Sequence, residues 1–341
     1  MVLVFFATNR NLVGTKGKPD FGEGFNEDGP AAIRFGFAEV PVSAARPDLD
    51  AIAITVAAEK INVSDESSRV LGSDIVFTQI RAKMLAHSRD TLAFLHGYAN
   101  SFRSALHHAA RLKAIYKHPF NMFMFSWPSN GRMVPFMDYY LDRTDAKSSS
   151  LAMARTLIKY RDFLAEGDRA RWCEQRLHLL AHSMGNYALR HAVQGFRSQA
   201  ASLPRMFDQV ILTAADEDHD TFEHDHKLRC LPDMAERVTV YFNNRDLALR
   251  VSDGTKANPD RLGSNGPRLR DGLPLKISLV DCQRISPDDR PSDAPKRDWK
   301  EHNYHRDSAT VVKDITAVLK GGMSDAIPGR AYVPEIRTYR L

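Results

Sequence analysis

One stretch constrains the fold more than any other. The apolar run Leu177 to Ala181 passes within a few residues into a helix-periodic segment, and the turn between them reads Ala181-His182-Ser183-Met184-Gly185. A chain that turns so tightly from strand to helix needs small side chains two positions either side of the centre, because a larger Cβ meets neighbouring backbone. Ala181 and Gly185 meet that need, alanine being the smallest departure from the glycine such turns carry. Ser183 then projects above a sheet edge at the start of a helix, where the helix dipole favours developing negative charge.

The same alternation runs through the chain. Thr91–Leu95 is a short apolar run. After it, from the capping residues Asn100 or Ser101, apolar positions fall at Phe102, Ala105, Leu106, Ala109, Leu112 and Tyr116, a helical spacing. Asn121–Trp127 is a second strand, ended by Pro128, and a helical segment over about Ala146–Ala165 leads into Leu177–Ala181. Past the helix that starts near Asn186, Gln209–Ala215, Val238–Phe242 and Leu275–Val280 read as further strands, and the last helix carries Val311, Val312, Ile315, Val318 and Leu319. Strands alternating with helices call for βαβ units, hence an α/β fold whose mostly parallel sheet has helices on both faces.

At 341 residues with 43% hydrophobic content, the chain can bury a large core. No linker rich in Pro, Gly or Ser divides it and no repeat appears. We expect a single domain over residues 1–341, with about 50 leading residues as an extra strand layer and about 321–341 as a C-terminal tail. The charge sum of 47 basic and 42 acidic residues is a net +5, and its basic runs, such as Lys296-Arg297-Asp298-Trp299-Lys300, are interrupted by acids. Nucleic-acid binding wants Lys and Arg gathered on one face, so none is expected. Cys173, Cys230 and Cys282 are odd in number and far apart, which fits thiols in a reducing compartment. Met1–Ala7 is apolar without a preceding basic segment and reads as a strand; no run approaches the roughly 18 to 20 apolar residues of a membrane span. A soluble, cytoplasmic protein is the expectation.

A serine needs a base, and the base an orienting acid. In this arrangement the order along the chain is serine, acid, histidine. His302 and His305 lie before the last helix, where a base belongs, whereas His191 reads as packing on the elbow helix. Asp246 follows the strand Val238–Phe242, and Asp216, ending the preceding strand, is the alternative acid. Backbone N–H groups of Tyr98, after the strand-His96-Gly97 element, and of Met184 are the candidate oxyanion donors.

These residues resemble the predicted esterase/lipase branch of the α/β-hydrolase superfamily catalogued as DUF900. The resemblance covers most of the chain: Phe6-Ala7-Thr8-Asn9-Arg10, Phe35–Val42, His96-Gly97-Tyr98 with Ser101-Phe102, Phe125–Ser129, Ala181–Gly185, Ala214-Ala215-Asp216, Arg261-Leu262-Gly263 and His302-Asn303-Tyr304. It implies an α/β-hydrolase fold and ester hydrolysis, with the base at the histidine two positions before a tyrosine, His302, and the acid at Asp246. The chain departs from the family's usual Gly-His-Ser-Tyr, reading Glu301-His302-Asn303-Tyr304, and carries Ala181 in the elbow.

Aromatic and apolar side chains crowd the expected mouth, with Trp127, Tyr187 and Phe102 as substrate-binding candidates beside Met133, Phe136, Met137, Tyr139 and Tyr140. Such a lining suits an uncharged ester with short or medium chains. The 22 or so residues between Ala215 and Val238 are too few for a cap domain, so cover must come from there and from Ser129–Lys147. Within that insert, Asp216–His226 mixes three histidines with six acids; a solvated charged loop explains it without a metal, and serine hydrolysis needs neither metal nor cofactor. The expected activity is that of a serine esterase working through an acyl-enzyme. A thioesterase, amidase or acyltransferase with the same triad, or an inactive hydrolase-fold binding protein, are the alternatives.

Overall fold

The computed structural model describes residues 1–42, 47–60, 69–131, 137–165, 175–199, 203–249, 260–285, 289 and 301–341. Its strands are β1 (Val2–Thr8), β2 (Arg10–Thr15), β3 (Lys18–Phe25), β4 (Arg34–Val40), β5 (Ala53–Val56), β6 (Asp90–Leu95), β7 (Phe120–Ser126), β8 (Leu177–His182), β9 (Phe207–Thr213), β10 (Ala235–Phe242), β11 (Ile277–Asp281), β12 (Ala331–Val333) and β13 (Thr338–Arg340). The main helices are α1 (Gly72–His87), α2 (Phe102–Ile115), α3 (Met137–Ser148), α4 (Ser150–Ala165), α5 (Met184–Gln199) and α6 (Ala309–Leu319).

Eleven strands form one sheet in the order β12-β13-β11-β10-β9-β8-β6-β7-β1-β4-β5. From β13 to β1 every described neighbour is parallel, and antiparallel pairing is confined to the edges: β4 with β1 and β5, β12 with β13. Every residue of β7 and β8 is buried, because helices cover both faces; that is why these strands read as unbroken apolar runs. On one face, α1, α4 and α5 pack Phe77, Met153 and Leu189 into a core; on the other, α2 and α6 contribute Leu106 and Ile315. Serine hydroxyls start helices on that second face: Ser101 accepts from the N–H of Ser104 and Ser308 from that of Val311.

The structure corrects the expected layout at both ends. The leading residues are not an extra layer. β1, apolar on both faces, lies inside the sheet between β7 and β4, and only the β2–β3 hairpin stands apart, anchored by Phe21 against Phe6 and Phe102. The trailing residues are not a tail: β13 pairs with β11, and Arg330 forms a buried ion pair with Asp314 of α6 at 2.7 Å. The single helix expected over 146–165 is two, α3 and α4. They part at Ser149, whose hydroxyl donates back to the carbonyl of Asp145 and accepts from Asn9.

After β6 the chain crosses through α2 to β7 on one side, then returns over the opposite face through α4 to β8 on the other side. The ends of β6 and β8 therefore flank a topological switch point, the crevice where α/β sheets place their ligands.

Candidate active site

Ser183 sits between β8 and α5 with a φ of +55°, a left-handed conformation that a serine adopts only when its surroundings impose it. Its N–H donates to the carbonyl of Thr213, its carbonyl accepts from the N–H groups of Asn186 and Asp216, and the Asn186 amide ties together the carbonyls of Ala181, Ser183 and Thr213. The side-chain requirement read from the sequence has a visible cause. A Cβ on Gly185 would stand 2.5 Å from the carbonyl oxygen of Leu95, and one on Gly97 would stand 2.8 Å from Cβ of Ser183. The loop after β6 thus lies directly against the serine. The hydroxyl of Ser183 makes no hydrogen bond to another described residue; catalytic contacts of this kind are commonly long before substrate binds.

His302 and Asp246 are brought together. His302 Nδ1 lies 2.7 Å from Asp246 Oδ2, and the other carboxylate oxygen accepts from the N–H groups of Ala248 and Leu249. Asp246 is fully buried, so the pair is shielded from competing water. With Nδ1 donating to the carboxylate, Nε2 of His302 is left as an acceptor. The ring stands beside the elbow: its centroid is 4.8 Å from that of His182, whose Nε2 lies 3.1 Å from the carbonyl of His302. Tyr304 pins this loop, donating to the carbonyl of Tyr241 and accepting from the N–H of Ala214. His305 points elsewhere, buried against His182 at 4.2 Å between ring centroids.

Asp216 is engaged by other partners. Tyr139 donates to its Oδ2 at 2.6 Å, Arg261 Nε is 3.4 Å away and Arg143 Nη1 3.8 Å. Arg261 is positioned by Gly263, which fits only because it lacks a side chain: a Cβ there would be 2.2 Å from the nitrogen of Ala215. The remaining acids of the insert are likewise met by cations, Asp218 by Arg261 at 2.6 Å and Asp220 by Lys227. His224 Nε2 lies 3.1 Å from Asp220, and the His224 and His226 rings stack.

Among the oxyanion candidates, Met184 is the first residue of α5, so its N–H has no acceptor within the helix. Tyr98 follows Gly97, and its ring meets Tyr139 edge-on at 5.8 Å. Burial, with Asp142 and Asp138 nearby, pushes the Tyr98 phenol up to about 12, so it stays a neutral donor.

The three aromatic substrate-binding candidates require correction. Trp127 is fully buried, stacked on His96 with Nε1 donating to the carbonyl of that residue. Phe102 is buried against Phe6 and Phe21 on the far face of the sheet. Tyr187 is covered by the guanidinium of Arg143, 3.6 Å from its ring centroid. Each lies near a motif in sequence, yet apolar area is better satisfied in the core than at an open mouth. Met133, Phe136 and the side chain of Met137 lie outside the described residues.

A second set of residues escaped the sequence reading. Arg10 is fully buried and uses its guanidinium to hold the carbonyls of Gly22, Ser129 and Asn100 and the hydroxyl of Ser126. Burial pulls its basicity down to about 9, with Asp142 nearby opposing. Ser126 in turn meets His96 Nε2 at 3.0 Å, and Asp142 accepts from the N–H of Ala99, which has a φ of +57°. Arg10 and Asp142 therefore clamp the loop that lies against Ser183. The signal was present in the motifs Phe6–Arg10 and Phe125–Ser129, whose polar residues gather where the apolar strands β1 and β7 end.

A family model described as an alpha/beta hydrolase of unknown function (DUF900) matches residues 76–290. An uncharacterized protein of Nostoc sp. (strain PCC 7120) is 30% identical over 116 residues, a match taking in 33% of this chain and 27% of the relative. The chain thus matches about a quarter of the length of that curated relative. No solved structure matches.

Proposed function

The chain belongs to the DUF900 family of α/β hydrolases, and on that premise we propose that it is a serine carboxylic-ester hydrolase acting on uncharged esters of short to medium chain length. The observation that carries this reading is the 2.7 Å contact of His302 Nδ1 with buried Asp246 beside a strained serine elbow. In the proposed reaction Ser183 Oγ attacks the ester carbonyl while His302 Nε2 takes the hydroxyl proton. Asp246 keeps the imidazole in the Nδ1–H tautomer and stabilises the imidazolium that forms. The N–H groups of Met184 and Tyr98 hold the oxyanion of the tetrahedral intermediate. His302 then gives its proton to the departing alcohol, and water, activated by the same base, releases the acid from the acyl-serine.

With Trp127, Phe102 and Tyr187 turned into the core, an aromatic surface offered to an acyl or alcohol group among the described residues is the Tyr98–Tyr139 pair. A panel of p-nitrophenyl esters from two to sixteen carbons, with matched thioester and anilide substrates, tests the reading. The expected result is turnover fastest on short and medium esters and slowest on anilides. Turnover of the anilides or thioesters alone would assign the triad to another acyl transfer.

A further inference from the structure

The opposite end of the sheet holds a cluster that ester chemistry does not use. Asp90 is the first residue of β6, whose neighbours in the sheet are β8 and β7. His178 is the second residue of β8, and His118 lies two residues before β7. Nε2 of His118 is 2.6 Å and Nε2 of His178 is 3.2 Å from one atom, Asp90 Oδ2. Oδ1 of Asp90 accepts from the N–H of Arg176 at 2.8 Å, which fixes the carboxylate's orientation. Three potential ligand atoms thus converge from the starts of three adjacent strands, all within 4.8 Å of one another. The His178 side chain is fully buried, whereas that of His118 is 13% exposed and gives the cluster one open side.

With His178 neutral, hydrogen bonding alone leaves this arrangement incomplete. If a neutral His178 donates from Nε2 to Asp90, its Nδ1 is a bare acceptor. That atom is buried without a hydrogen-bond partner, and what it faces, 3.8 Å away, is the Asp208 carboxylate, which is itself an acceptor. Moving the ring proton to Nδ1 gives Asp208 a donor to meet. It also leaves the Nε2 lone pair of His178 pointing at a carboxylate oxygen, and those groups attract one another only through a cation.

We propose that Asp90, His118 and His178 bind a divalent transition-metal ion of the zinc type, with water as the fourth ligand on the open side of His118. Two imidazoles and a carboxylate are donors that zinc accepts, and a carboxylate near the outer nitrogen of a ligating histidine, as Asp208 is at 3.8 Å from His178 Nδ1, is the usual second partner of such a site. Bonds of about 2.0–2.1 Å in a tetrahedron set ligand atoms roughly 3.3 Å apart, so the observed separations need shifts of under about 1 Å. Asp90 and Leu95 are the two ends of β6, which puts the ion about 16 Å from the strand end beside Ser183. It is a staple across β7, β6 and β8, independent of the ester reaction.

Untagged, chelator-stripped protein titrated with Zn²⁺ against a chromophoric chelator tests the proposal, with Co²⁺ absorption reading the coordination geometry. One equivalent should bind, with a tetrahedral Co²⁺ spectrum and a rise in Tm on adding Zn²⁺. Binding should weaken at least 100-fold in His118→Ala and in His118→Gln, whose partly exposed position spares the core, and stay unchanged in His224→Ala. Absence of stoichiometric binding in the wild type would overturn the proposal. So would binding that survives both His118 variants or is lost in His224→Ala.

Discussion

At the residue scale, Ser183 and its small neighbour Gly185 were legible in the sequence because a steric requirement wrote them there: a Cβ on Gly185 meets the backbone of Leu95 and His96, while the like constraint on Gly97, whose Cβ would meet Ser183 itself, shows only in the fold. The choice between Asp246 and Asp216 was not legible from the residues alone, since both follow strands that end at the same sheet edge. What separates them is the cations around Asp216, and Arg261 and Arg143 come from distant segments. On the proposed triad, Asp246→Asn lowers kcat by about 10⁴-fold with the fold retained, because the imidazole loses its tautomer. Asp216→Asn instead weakens the hold on the buried Arg261 guanidinium and on partly exposed Arg143, lowering Tm while kcat of the folded fraction stays within about tenfold. Steady-state kinetics and thermal unfolding on both variants check the pair, and a larger kcat loss in Asp216→Asn would reverse the assignment.

At the element scale, the central strands and the helices that follow them were readable from apolar runs and capping serines, because two-sided burial leaves an unmistakable pattern in β7 and β8. The places of the two chain ends in the sheet leave no such local pattern, for a physical reason. β1 carries the same two-sided pattern, and its place inside the sheet is fixed by long-range pairing with β7 and β4 that no local signal records. The terminal strands β12 and β13 are three residues each, too short to show a period, and they are held by Arg330 against Asp314 and Tyr241. Arg330→Met leaves Asp314 buried without its counter-charge, at a cost of about 3–5 kcal/mol. Thermal unfolding should show a Tm several degrees lower, and an unchanged Tm would mean that the C-terminal hairpin adds little to the sheet.

At the scale of the whole molecule, the eleven-stranded sheet gathers the elbow, the His302–Asp246 pair and the Gly97 loop at one end of its parallel strands, and the Asp90–His118–His178 cluster at the other. No helix of the described residues is long and apolar enough to cross a membrane. The buried imidazoles also set a pH limit on the fold. Burial pulls His96 down to about 3 and holds His182 and His305 well below the usual histidine value. The unfolded chain takes up protons near pH 6.5 while these folded rings do not. Their stabilisation is therefore complete above that pH and is lost below it, by about 1.4 kcal/mol per group per pH unit. Urea unfolding at pH 7.5 and 5.5 should give a lower midpoint at the acid value; an equal or higher midpoint would contradict a dominant role for these rings. The central claim, that Ser183 is an activated nucleophile, is tested most directly by the intact mass of the protein after treatment with a fluorophosphonate. One adduct per chain is expected, mapped to Ser183 and absent from Ser183→Ala, whereas an unmodified wild-type chain, or an adduct that persists in the variant, would refute that role.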